Sequence, residues 1–425
     1  MQKKINTQTF LMLLIPFSFV IGPLILEILL LTLSYLFLKN IYTTKEFKFF
    51  KIFFSLVFFG FSLYLILSMI IFSRYDIGIN YSLFYFRYGV YILALYYFFY
   101  KDDLLKIFIL SFLLLNLFLC FDGIFQHFFG VNIIGIEKFN SLRVSSFFED
   151  ELILGSFILK ISPIIYSYIF FNFKTNKLIN YLISILIVLN LYVISLSGER
   201  SALFMYLAFL LYLLIFLKYK FYKKLILSGI ILISLSLIFS LSGNVYERII
   251  KKTFYEVTGN HIKNDNKNYY LTEDYFESNK LPIFIFTPAH TNYYYTSYKI
   301  FKKNKLFGSG PKTYRILSKK KEFAYNRYSY TTHPHNYYIQ LLAETGIFGL
   351  VFVLIGYISI LKIFFKTLFS KEYDKKKQNC CLVLIGGLLI NFFPIMPTGN
   401  FFNNWNSILI LMPASLLLKV LYDRK

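Results

Sequence analysis

The sequence predicts an all-α fold: a polytopic transmembrane helical bundle of about 12 spans with one large exoplasmic loop containing short helices. Three observations carry this. Of the 425 residues, 57% are hydrophobic and 16% charged, with a mean hydropathy of +0.57, too little polar surface to cover a water-exposed globule. Apolar runs that can fill a bilayer core of about 30 Å recur along the chain. Clusters of Lys and Arg punctuate them at alternate turns, the pattern of short cytoplasmic loops. The aromatic excess, 52 Phe and 37 Tyr beside one Trp, carries little functional weight.

The first two runs, 9–22 and 24–38, are short and joined at Gly22-Pro23, so they read as two spans, a re-entrant pair or one long kinked helix. Further spans are predicted at 50–72, 79–99, 105–127, 152–171, 179–197, 201–217, 224–242, 347–366, 380–397 and 403–420. Residues 1–242 thus hold about nine spans, 243–334 form the large periplasmic loop, and 335–425 hold an interfacial helix and three spans. With Lys3 and Lys4 inside, the clusters at 39–51, 100–106, 218–224 and 371–377 also fall inside. Residues 128–151, the turn at Gly198-Glu199-Arg200, the large loop and Thr398 to Phe402 fall outside. The first apolar stretch lacks a small-residue cleavage site and runs into another span, so no cleavable signal peptide is expected.

The net charge of +23, from 45 Lys and Arg against 22 Asp and Glu, serves topology and membrane lipids first. No basic-aromatic module of nucleic-acid type interrupts the apolar runs, so no nucleic-acid partner is expected. The loop 243–334 carries sixteen Lys and Arg against seven Asp and Glu, a net +9 that suits an anionic ligand such as a diphosphate or an acidic glycan. Cys120, Cys380 and Cys381 all lie in apolar runs, which argues against structural disulfides and thiolate metal sites.

That loop and its C-terminal edge hold His261, His290, His333 and His335, and the fifth histidine is His127. His333-Pro334-His335 lacks adjacent carboxylates or thiols, so no metal site is expected. Pro334 precedes a helix whose apolar face is Ile339, Leu342 and Ala343, with Gln340 and Glu344 one turn apart on another face. His335 is expected in its first turn, where the positive helix end favours the neutral imidazole that a general base requires. The alternative is a histidine that only anchors the helix. Among the residues at 122–151, Glu149 to Glu151 are expected to form the anionic start of the next helix. Arg87, inside the fourth span, requires a partner carboxylate or a lipid phosphate.

His335-Asn336, nine residues, then Gly346-x-x-Gly349 resembles the signature of the bacterial O-antigen ligase and O-antigen polymerase superfamily, membrane glycosyltransferases using polyprenyl-diphosphate-linked glycans. Ser197-Gly198-Glu199-Arg200-Ser201-Ala202 is similar to that family's arginine-bearing turn between two central helices, and Gly308-Ser309-Gly310-Pro311 to its Gly-x-Gly-Pro turn. Many relatives carry a second arginine where this chain has His290, eighteen residues before Gly308, so Arg315, Arg248 or His290 itself would supply that charge. The resemblance implies that His335 takes a proton from the acceptor hydroxyl. It also implies that Arg200 holds the diphosphate with help from Arg143, Arg315 or His290, the guanidinium fork suiting two phosphate oxygens; the alternatives for Arg200 are snorkelling or a local pair with Glu199.

What the resemblance implies as activity is a metal-independent, inverting enzyme that needs no cofactor. It would move a glycan from undecaprenyl diphosphate to a lipid A-core hydroxyl, on the periplasmic face of the bacterial inner membrane. A polymerase, extending a lipid-linked repeat-unit chain on a lipid-linked acceptor, is the alternative. A transporter or flippase of lipid-linked glycan is less favoured, because charges collect at the outer ends and no inverted repeat is visible.

Overall fold

A computed structural model of the chain describes residues 7–72, 75–101, 104–138, 143–172, 177–257, 287–324 and 329–422. Among them the protein is helical, with a single isolated bridge, Val131 to Glu137, in place of any sheet. The helices are α1 (Thr7–Ile21), α2 (Pro23–Thr44), α3 (Phe53–Phe72), α4 (Ile77–Leu83), α5 (Phe86–Lys101), α6 (Leu105–Phe129), α7 (Leu154–Asn172), α8 (Lys177–Leu196), α9 (Arg200–Phe216) and α10 (Phe221–Leu241), then α11 (Pro288–Lys303), α12 (Tyr337–Leu368), α13 (Lys375–Asn391) and α14 (Asn404–Tyr422). Every predicted run is helical over most of its length. Six helices, α2, α3, α6, α10, α12 and α14, are long and apolar enough to cross a membrane, and with the shorter apolar helices they make this a multi-pass membrane protein.

Two boundaries differ from the prediction, and the open reading of residues 9–38 is decided in favour of two helices. Gly22, at φ 150°, followed by Pro23 at the first helical position, separates α1 from α2, and the two pack on one another as distinct helices. The predicted span 79–99 is broken into α4 and α5 around Phe84, whose carbonyl accepts a hydrogen bond from Arg87 Nη1 at 2.8 Å. The run 380–397 stops being helical after Asn391, ahead of Pro394 and Pro397, and residues 392–403 cross the end of the bundle as irregular chain.

α7 packs against α6, α8, α9, α13 and α14, while α5 is enclosed by α2, α3 and α14. Residues 90–95 of α5 and 381–385 of α13 are buried throughout, as inner helices require. α10 and the long part of α12 keep their apolar side chains largely exposed, Leu232 and Ile358 among them, as helices facing lipid do. Aromatic rings fill much of the interior: Phe49 meets Phe37, Tyr96, Tyr97 and Tyr100 edge-on. Small residues permit the closest approaches, since a Cβ on Gly387 would run into the ring of Pro163 where α13 crosses α7.

Arg87 has the carboxylate that its position requires. Its Nε and Nη2 bind Glu27 Oε2 and Oε1 at 3.2 and 3.1 Å, and Tyr88 Oη accepts from the same guanidinium and donates to Asn404. The pair therefore ties α2 to α5 and to the start of α14. Breaking a largely desolvated pair strands the other charge at a cost of about 3 kcal/mol. Arg87→Met is therefore expected to lower the thermal midpoint of the detergent-solubilised protein, and Glu27→Met with Arg87→Met to recover most of the loss; equal midpoints for wild type and Arg87→Met would contradict the assignment.

Candidate functional site

The glycine motifs build the frame of the site. α12 bends at Gly346, whose φ of 66° and ψ of −168° lie outside the helical region. The bend opens the helical bonds that Ile347 and Phe348 would make to the carbonyls of Ala343 and Glu344. All four groups are recaptured by the turn at 305–310. Ser309 N and Gly310 N donate to Ala343 and Glu344 O at 3.1 and 2.7 Å, while Ile347 N and Phe348 N donate to Lys305 and Leu306 O at 2.9 and 3.3 Å. The freed carbonyl of Thr345 accepts from Tyr64 Oη of α3 at 2.5 Å. Gly308 and Gly346 meet backbone to backbone, and a Cβ on either would overlap main-chain atoms of the other segment. Gly310, at φ 105°, completes the turn.

The buried carboxylate of Glu344 anchors the segment beyond the turn. It accepts from Tyr314 N at 2.9 Å and from Gln340 Nε2 at 2.9 Å, so the residues around Lys312 and Arg315 are held to α12. Gln340 in turn binds Asn400 Oδ1 and Phe401 N, which fastens the 392–403 crossing to the same helix. Asn336 caps α12, its Oδ1 accepting from Tyr338 N and Ile339 N, while its Nδ2 donates to Pro394 O at 2.6 Å. His335 therefore stands one residue outside the helix, in the left-handed region at φ 57°, and not in the first turn as expected; the shorter amide side chain of Asn336 takes the capping position. Its carbonyl accepts from Thr398 N at 2.8 Å.

His290, distant in sequence, joins His333 and His335 there. The ring of His335 lies 4.1 Å from that of His333 and 5.8 Å from that of His290, with Tyr293 at 5.7 Å. His290, in the first turn of α11, binds Thr287 Oγ1 through Nδ1 at 2.6 Å. Burial, reinforced by the neighbouring His290, pushes His335 down to about 4, and burial with His335 beside it pushes His333 to about 3. His290 is lowered as well, by burial and then by Arg200. All three rings are neutral near pH 7. No hydrogen bond holds the ring of His335 among the described residues, which leaves its nitrogens open to a ligand.

His335 and His333 line a cleft of about 920 Å³ that also takes in Lys312, Arg315, Lys160 and Ser201. Nε of Arg315 is buried without a hydrogen-bond partner among the described residues. Glu149, Asp150 and Glu151 lie at the same cleft, exposed, ahead of α7; they do not begin it as expected, because a short 3-10 turn at Ser146–Phe148 and an irregular stretch precede Leu154. No group of three His, Cys, Asp or Glu among the described residues could hold a metal ion.

The arginines gather at the adjacent turn between α8 and α9. Arg143 Nε donates to Ser197 O at 3.0 Å, Arg248 Nε to Gly198 O at 3.3 Å, and Arg200 Nη1 to Thr253 Oγ1 at 3.3 Å. Glu199 does not pair locally with Arg200 within salt-bridge distance; its half-buried carboxylate turns to the start of α7, accepting from Gly155 N at 2.6 Å and from the amide and hydroxyl of Ser156. Burial raises its pKa in spite of these donors, and burial lowers that of Arg143 against the pull of Glu199. Gly198 sits at φ 66° with Arg143 and Arg248 on either side of where a Cβ would be. Asp122 and Gln126 order the segment between α6 and α7: Asp122 binds Ile133 N and the Ser146 hydroxyl, and Gln126 Oε1 accepts from Ser145 N and Ser146 N.

The candidate residues thus form one cleft and one neighbouring cationic turn, linked by the field of Arg200 at His290. Gly349 of α12 stands apart, packed near Thr345 of the same helix and Tyr64 of α3. His261 lies outside the described residues. Lys160, Lys312 and the asparagines at 400–406 escape motif reading, although a lysine in the predicted span 152–171 is itself a signal.

Gly346→Ala is expected to destabilise the protein far more than Gly356→Ala in the same helix, because the added Cβ at 346 meets the Leu306 carbonyl whereas at 356 it meets nothing within 4 Å. Thermal unfolding of the two purified variants checks this, and an equal effect would refute the interlock.

No curated protein matches this chain. Residues 185–354 match the family described as O-antigen ligase, a stretch running from α8 through the cationic turn and the glycine motifs into the bent helix α12. That stretch is 170 of the 425 residues, and over it the chain is similar to the O-antigen ligase family, which supports a place in that superfamily.

Proposed function

We propose that the protein is an O-antigen ligase-type glycosyltransferase, moving a glycan from undecaprenyl diphosphate to a lipid A-core hydroxyl at the periplasmic face of the inner membrane. The observation that carries this is the neutral His335 ring, free of hydrogen bonds among the described residues, on a large cleft shared with Arg315 and beside an arginine turn. In this reading the acceptor oxygen attacks the anomeric carbon as His335 takes its proton. The bond from that carbon to the diphosphate oxygen breaks, and its electron pair leaves with undecaprenyl diphosphate.

The leaving group needs electrostatic stabilisation where its charge develops. Arg200 and Arg143 at the turn and Arg315 in the cleft supply guanidinium donors, and His290 stands where a cation would otherwise crowd the base. A second charge at 290 would depress His335 further, and a neutral imidazole avoids that penalty. Attack opposite the leaving group inverts the anomeric configuration. Asn336, by capping α12 and gripping Pro394, sets the position of the base.

His335→Ala is expected to cut transfer from a defined lipid-linked donor by at least about 100-fold in a reconstituted assay, with the folded protein recovered in normal yield. Near wild-type transfer by this variant would sink the assignment. Because the folded pKa of His335, about 4, lies below the ordinary histidine value, the base stays deprotonated above it. In the same assay kcat/KM is expected to be level from about pH 6 to 8 and to fall on the acid side only as pH approaches that value. The same depression means that the unfolded chain binds protons first, so the cluster's contribution to stability is kept above about pH 6.5 and lost as pH falls toward 4. Deleting the gene separates the two superfamily activities: free lipid-linked polymer marks the ligase, and capping by a single repeat marks the polymerase.

A further inference from the structure

Arg87 and Lys160 are both cations set within transmembrane helices, and the fold treats them differently. Arg87 is neutralised by the two oxygens of Glu27. Lys160, in the second turn of α7, has no carboxylate within salt-bridge distance among the described residues. Its Nζ donates to Asn406 Oδ1 at 2.8 Å and lies 5.9 Å from the centre of the Trp405 ring. Neither partner carries negative charge. Glu199 is the carboxylate whose field it feels, but the oxygens of Glu199 are taken by Gly155 and Ser156 one turn up the helix.

The lysine is held in position. Asn406 Nδ2 donates to Tyr337 Oη at 2.6 Å and to Asn400 O at 3.0 Å, which turns its amide oxygen toward Lys160. Lys160 lines the same cleft as Ser156, Ser201, Arg315 and His335. A positive charge inside a membrane bundle is costly unless an anion meets it, and here Lys160 faces a cleft where Glu149, Asp150 and Glu151 are lining residues but none pairs with it. We propose that Lys160 is an anion-binding residue of the cleft, receiving a phosphate oxygen of the ligand between α7 and the loop segment bearing Arg315. This rests on the reading of the donor as a lipid diphosphate, and a phospholipid headgroup would offer the same chemistry.

The test is direct binding to the full-length protein in nanodiscs, with undecaprenyl diphosphate and phosphatidylglycerol as separate probes. Lys160→Met is expected to weaken undecaprenyl diphosphate by about tenfold or more, the size of a lost charge-assisted contact, with Lys160→Arg close to wild type and phosphatidylglycerol unaffected. Lys160→Gln, which keeps a donor for Asn406, replaces the methionine variant if that one does not fold, and the same loss is expected. Unchanged binding in the neutral variants overturns the role of Lys160 while leaving the proposed activity intact. A loss confined to phosphatidylglycerol assigns the lysine to a lipid headgroup and overturns the diphosphate assignment. Failure of the wild type to bind undecaprenyl diphosphate at all overturns both the donor class and this inference.

Discussion

A helix that bends near a membrane must find new partners for the backbone groups that it releases, because lipid offers none. Of the groups that the bend at Gly346 frees, the chain at 305–310 takes up the amides of Ile347 and Phe348 and the carbonyls of Ala343 and Glu344, and Tyr64 takes up the carbonyl of Thr345. The loop segment is thus the missing part of the helix's own hydrogen-bond ladder. This joint sets the place of Glu344, the hold of Glu344 on Tyr314, and hence the position of Arg315 opposite the histidine that precedes α12. Glycine is needed on both sides of the joint since each main chain occupies the space of the other's side chain.

Charge is distributed with equal economy. Arg87 is matched within the bundle by Glu27, and Glu199 is spent on the amides that open α7. The histidines at 290, 333 and 335 are kept uncharged by burial and by one another. What is left over, Lys160, Lys312 and Arg315, faces a single cleft. Glu149, Asp150 and Glu151 line the same cleft, so its charge is mixed, and a cation there can meet an anionic group while the neutral imidazoles leave the base unprotonated.

The helices are readable because apolar runs near 20 residues report bilayer thickness whatever their tertiary partners. Boundaries shift where a local event intervenes: Arg87 reaching back to Phe84, or the prolines at 394 and 397 ending α13 early. The glycine motifs read as turns, yet nothing in their spacing indicates that the turn at 308 and the bend at 346 complete each other, since that pairing is a long-range one. Asn336 reads as the companion of a catalytic histidine, whereas in the fold it is the helix cap that displaces His335 from the first turn. Lys160 is hidden because one lysine barely lowers the hydropathy of the run ILGSFILKIS around it, although its lack of a nearby carboxylate within the fold is what makes it informative.

The joint at Gly346 also bears on how such a protein can diverge. A loop whose ends are merely tethered can be exchanged between relatives as a cassette, but here residues 305–310 are hydrogen-bonded into α12 as if they belonged to it. Recombination that cuts between them would join a bent helix to a turn shaped for another bend. The structural unit is therefore neither the loop nor the helix alone but the two together, residues 305–310 hydrogen-bonded into α12 at 343–348.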